Sequence, residues 1–93
     1  MLDIIVSSQF KKDLKKVKKQ GKDPEKIDAI IESLQNEAPL HSKHSDHDLI
    51  GIWKGYRECH ITPDWLLIYK ICNGSVRVLR LSRTGSHSDL FKK

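Results

Sequence analysis

Two stretches hold most of the side chains that can move protons or meet a phosphate: WKGYRECHITPDW at 53–65 and RTGSHSDLF at 83–91. With the neighbouring Arg80, they set His60, His87, Glu58, Asp64 and Arg83 on or beside segments that are otherwise apolar. Such groups are costly near a core unless they have partners or a task. Histidine suits either role in proton transfer because its unperturbed pKa is ~6.5. The chemistry this suggests is metal-free cleavage of an RNA phosphodiester. The 2′-hydroxyl attacks the neighbouring phosphorus, with a base at the hydroxyl, an acid at the leaving 5′-oxygen and positive charge on the developing phosphorane. His60 and His87 are placed to converge, Asp64 to orient or charge-stabilise an imidazole, and Arg80 and Arg83 to neutralise the phosphate. Trp65 and Phe91 are candidate platforms for stacked bases.

A second histidine group, HSKHSDHD at 41–48, spaces His41, His44 and His47 three apart with Asp46 and Asp48 nearby. On a helix that spacing would suit a metal. The segment is serine-rich, follows Pro39 and lacks any HExxH or CxxC pattern, so a polar loop with His47 reaching the sheet is the expectation, with no metal or other cofactor.

The 93 residues fit one domain, 1–93, with a modest core. Hydrophobic residues at 38% and charged residues at 31% fit a soluble globular protein. No apolar run approaches the ~20 residues of a membrane span, and the first residues lack a positive leader, so a cytoplasmic address and no membrane contact are expected. Cys59 and Cys72 form no framework and read as reduced, half-buried hydrophobes. The net charge of +5 favours polyanions or an acidic protein partner. Lysines 11, 12, 15, 16, 18 and 19 crowd one helix, as a solvated face or an electrostatic contact with a large RNA.

The elements that must position these groups are legible in outline. Residues 2–6 read as a strand. Phe10, Leu14 and Val17 form the stripe of a helix opened by Ser7 or Ser8 and ending near Gly21. Asp23-Pro24-Glu25 opens a second helix with Ile27, Ile30, Ile31 and Leu34 inward. Strands follow at 55–62, 65–71 and 75–82, with turns at Pro63-Asp64 and Asn73-Gly74 and a helical turn at 86–91. The order is β-α-α-β-β-β plus a short helix. That is an α+β fold with a mostly antiparallel four-stranded sheet and a helical hairpin on one face. Counting register from the two turns aligns His60 with Leu67 and Arg80, and Glu58 with Tyr69 and Val78. Tyr56, Glu58, His60, Trp65, Tyr69 and Arg80 would then share an open face. Cys59, Ile61, Leu66, Ile68, Leu79 and Leu81 would pack on the helices.

WKGYRECH, PDWLLIYK and RTGSHSDLF resemble the YafQ-like branch of the RelE/ParE toxin superfamily, from bacterial type II toxin–antitoxin systems. The resemblance spans nearly the whole chain, and its specific part is the last 40 or so residues. It implies a compact RelE-like fold whose sheet carries a catalytic surface. It also implies cleavage of mRNA in the ribosomal A site and neutralisation by an antitoxin encoded alongside. By motif, the histidine of the DH segment falls on His47, and His60 ends WKGYRECH. Asp64 is the acid of PDW, while Arg83, His87 and Phe91 match the last motif. Glu58, assigned to the RNA-binding set, stands where some relatives have aspartate. The departures are the SKHS insertion before His47 and two trailing lysines. The resemblance implies His87 as general acid and His60 or His47 as base, with that choice left open. Two other readings remain: a non-enzymatic toxin of the gyrase-directed branch, and a metal-binding accessory domain using His41, His44 and His47. The expected partners are the ribosome with its mRNA and an antitoxin, acidic where it touches this chain.

Overall fold

A computed structural model describes residues 1–91, so the two trailing lysines lie outside it. Strand β1 (Asp3–Val6) leads into helix α1 (Ser8–Lys19), capped by Ser7, whose side chain accepts from the Phe10 amide at 2.9 Å. Helix α2 (Pro24–Gln35) starts at the expected cap, Asp23, with proline in its first turn. A polar loop with one 3₁₀ turn, Ser42–His44, reaches a two-residue strand, β2 (His47–Asp48). After a second 3₁₀ turn, Gly51–Trp53, come β3 (Arg57–Thr62), β4 (Trp65–Asn73), β5 (Arg77–Gly85) and the single helical turn α3 (His87–Leu90).

The sheet has five strands in the order β1-β5-β4-β3-β2, so the expected four are extended by the short β2 at one edge. β1 runs parallel to β5, and the other pairings are antiparallel. The α+β class agrees with the sequence reading, and the element order agrees apart from the added β2.

The face assignment of β4 does not. Thr62 pairs with Trp65, so the Pro63-Asp64 turn forms as counted. A bulge between His60 and Thr62 then adds one residue to β3, and His60 meets Leu66 instead of Leu67. At the other end Asn73 pairs with Arg77, which makes the turn one residue longer than a two-residue hairpin and moves Arg80 opposite Lys70. Both changes are odd in number, so β4 turns over relative to β3 and to the start of β5. A further bulge between Ile68 and Tyr69 shifts its register with the end of β5 again. Trp65, Leu67 and Tyr69 join Cys59, Ile61, Leu79 and Leu81 in the core beneath α1 and α2. Leu66 and Ile68 face the other way, covered by Leu49, Trp53, Tyr56, Leu90 and Phe91. The face opposite the helices therefore has its own small apolar cluster.

Cys59 is fully buried and Cys72 half-buried, both as free thiols. Burial first, then the nearby Asp46 and Glu58 charges, pushes the Cys59 thiol up to about 12, so it stays protonated and unreactive near neutrality.

Candidate active site

Glu58 and His60 alternate along β3 and emerge on the side away from the helices, as the sequence led one to expect. β2 pairs antiparallel with β3 so that His47 lies directly across from Glu58. His87 opens α3, immediately after β5, and Ser86 caps that turn by accepting from the Asp89 amide at 3.2 Å. Three imidazoles thereby come into one row. The ring centroids of His47 and His60 are 6.4 Å apart, and those of His60 and His87 are 6.2 Å apart. Phe91 closes the row, 5.3 Å from His87.

The hydrogen bonds define which nitrogen faces the site. His47 Nδ1 lies 2.6 Å from the Ser45 carbonyl, and since a carbonyl only accepts, Nδ1 carries the proton. His60 Nδ1 donates in the same way to the Pro63 carbonyl at 3.3 Å. In both rings Nε2 is left to the site. Beneath them sits the Glu58 carboxylate, 3% exposed. Its Oε1 lies 3.3 Å from His60 Nε2 and its Oε2 3.8 Å from His47 Nε2. Among the described residues Oε1 has no hydrogen bond of proper geometry, since its approach to His60 meets the distance of an ion pair but not the angle of a hydrogen bond. In that position the carboxylate can pair with an imidazole that takes up a proton during the reaction. Glu58 therefore supports the histidines and is too enclosed to bind RNA directly, which corrects its assignment. Asp64, exposed in the β3–β4 turn, accepts a long 3.5 Å bond from the His87 amide, tying that turn to the start of α3.

The other residues singled out in the sequence fall elsewhere. Trp65 is not on this surface. It is 1% exposed in the helix-covered core, with its indole N–H donating to Thr84 Oγ1 at 2.9 Å. Tyr69 is buried on that same side. Arg83 stands where β5 loses its β1 neighbour, β1 having ended opposite Leu81. Its guanidinium is held by Asp13 of α1, at 2.7 and 3.2 Å. Arg80 is exposed across from Lys70, away from the imidazole row. The cation closest in sequence to His87 thus points to α1. Asp13 also accepts from the Thr84 amide at 3.2 Å, so Asp13→Ala strips partners from both groups. Urea denaturation should show a loss of about 1–3 kcal/mol.

Two features escaped the sequence reading. One is a cleft of about 540 Å³ beside the row, lined by Leu49, Trp53, Glu58, His87, Leu90 and Phe91. The exposed Ile50 and Ile52 at its rim were the available signal, as apolar residues inside a polar connection. The other is a set of bonds from Asp46 and Asp48 to Arg57 and Tyr69, signalled by two acids flanking a histidine. The loop histidines diverge: His41 Nδ1 accepts from the Lys43 amide, and His44 Nδ1 donates to the His60 carbonyl. Among the described residues no three His, Cys, Asp or Glu side chains are grouped as metal ligands.

Comparison with known proteins places the chain in a family. The family model described as "Bacterial toxin of type II toxin-antitoxin system, YafQ" matches residues 2–92. The mRNA interferase toxin YafQ of Escherichia coli strain K12 is 44% identical, over 96% of this chain and 95% of the relative. The E. coli DinJ–YafQ complex contains a chain superposing with a TM-score of 0.87 at 43% identity, over 98% of this chain and 99% of that one. A metal-bound toxin from Helicobacter pylori superposes with a TM-score of 0.90 at 45% identity, over 98% of this chain and all of that one, 100%. The chain belongs to the YafQ family and is a bacterial toxin of the type II toxin–antitoxin class.

Proposed function

We propose that this toxin cuts mRNA in the ribosomal A site by acid–base chemistry on the phosphodiester, without a catalytic metal. It is an endoribonuclease, as its relatives named mRNA interferase are. The observation that supports the route is the row of three imidazoles on one open surface, with Phe91 at its end. Imidazoles about 6 Å apart, centre to centre, leave room for a phosphate between rings.

His47 or His60, each with Nδ1 tied to a backbone carbonyl and Nε2 on the side of Glu58 and the site, takes the proton from the 2′-hydroxyl. The 2′-oxygen bonds to phosphorus, the bond to the 5′-oxygen breaks, and His87 gives that oxygen a proton. The products are a 2′,3′-cyclic phosphate and a 5′-hydroxyl. Glu58 steadies whichever imidazole becomes charged. Phe91 offers a face for a base, and Asp64 holds the loop that presents His87. Arg83 serves the phosphate only on leaving or bridging from Asp13, and Arg80 is a more distant cation. The ribosome supplies what so small a surface lacks, a substrate held in one geometry. The site of action is the cytoplasm. The inhibitory partner is a cognate antitoxin, as DinJ is found with YafQ.

Mapping of cut sites on ribosome-bound mRNA tests the reaction. Cuts confined to the A site, ending in cyclic or 3′-phosphate and undiminished by chelator, are the expected result. Cleavage abolished by EDTA and restored by a divalent ion, with ribosomes kept intact in magnesium-matched controls, would overturn the metal-free route.

A further inference from the structure

His47 sits on the shortest strand of the sheet, and two residues of ladder fix a backbone poorly. Something else must hold it. The alternation of β2 sends His47 to the open side and its flanking acids, Asp46 and Asp48, to the helix side. There both acids are bound. Asp46 Oδ1 accepts from the Tyr69 hydroxyl at 2.6 Å and from Arg57 Nε at 3.3 Å. Asp48 Oδ1 accepts from Arg57 Nη1 at 2.6 Å. Tyr69 is itself anchored in the core of β4, 2% exposed, while Arg57 lies on β3 next to Glu58. The strand bearing His47 is therefore gripped from behind by β3, which carries Glu58 and His60, and by β4 beyond it.

We propose that Tyr69, Arg57 and Asp46 form a positioning clamp for His47, acting through the sheet edge and never touching RNA. The inference rests on the reading of His47 as a proton-transfer group. Burial and the bond to Asp46 both push the Tyr69 phenol above its ordinary value, so it stays a hydrogen-bond donor at any physiological pH. Burial works to lower the Arg57 guanidinium, but its bonds outweigh this and hold it above its ordinary value. The clamp is thus permanently set. Because the register of β2 also brings His47 over Glu58, loosening Asp46 displaces the ring from the carboxylate and from the Ser45 carbonyl together.

Tyr69→Phe removes the hydroxyl and keeps the ring in the core, so it is the variant of choice. Single-turnover cleavage of ribosome-bound mRNA should slow about 10-fold, with the concentration for half-saturation unchanged. In a His47→Ala background the same change should cost nothing further, since its target is gone. A role only in folding would lower the rate by the same factor in both backgrounds, and that result overturns the clamp. Imidazole ¹⁵N spectra give an arm independent of activity. The His47 Nδ1–H tautomer should be lost in Tyr69→Phe and Asp46→Ala and retained in the wild type. An unchanged His47 spectrum in both variants would also overturn it. Full cleavage by His47→Ala, by contrast, removes the role given to His47 and leaves the spectroscopic test of the clamp standing.

Discussion

Cleavage of ribosome-bound mRNA should fall ~10²–10⁴-fold when His87 becomes alanine, the range for losing a positioned acid or base. The change should leave the fold in place. His87 is exposed at the start of a four-residue helical turn whose cap comes from Ser86 and whose packing comes from Leu90. Its ring lies 6.2 Å from that of His60 and 5.3 Å from that of Phe91, centre to centre. Stability measured by urea should therefore change by less than about 0.5 kcal/mol, as for an ordinary surface site. The pairing of a large kinetic effect with a negligible stability effect distinguishes an acid from a structural residue. Replacing His87 by glutamine, which keeps a polar side chain and removes titration, should be almost as damaging. Wild-type turnover by either variant removes the general acid from this position.

Trp65→Ala should have the opposite signature. The indole is almost wholly enclosed beneath the helices, bonded to Thr84, whose hydroxyl in turn donates to the Leu66 carbonyl at 2.7 Å. Removing a buried tryptophan costs about 3–5 kcal/mol. Against a total of about 5–15 kcal/mol for a whole domain, that is a large share. The melting temperature should drop by more than about 10 °C, since each kcal/mol is worth about 4–8 °C in a domain of this size. Trp65→Phe should fall between, because it keeps most of the apolar contact but leaves Thr84 without its donor. Cleavage per folded molecule should survive in the phenylalanine variant. A stable Trp65→Ala protein with weakened RNA binding would instead restore the exposed stacking role that the tryptophan has in the sequence reading.

These two outcomes separate residues that the motifs present side by side. In WKGYRECHITPDW, His60 and Trp65 are both conspicuous, and nothing local says that one looks to the substrate and the other to the helices. Leu66 to Ile68 is apolar on both sides, because β4 is central and buried on both faces. Such a strand has no alternation from which to read which face a residue takes. The decision falls to a single extra residue at the bulge before Thr62 and to one more in the turn before Arg77. A bulge is stabilised by the whole ladder around it, and so leaves little trace in the sequence.

What the chain settles locally is considerable. Ser7 and Asp23 cap their helices, Pro24 opens the second, and the stripes from Phe10 and Ile27 turn inward. Those features depend on neighbours within one or two turns, where spacing alone determines contact. His60 and Glu58 also share a face by simple alternation, and the family motifs identify His47, Asp64, His87 and Phe91. The assembly of the imidazoles was decided in three dimensions. So were the capture of Arg83 by Asp13, the burial of Trp65 and the anchoring of Asp46 by Tyr69. Each joins segments far apart in the chain, and its geometry follows from strand register, a collective property of the sheet that no short stretch of residues carries.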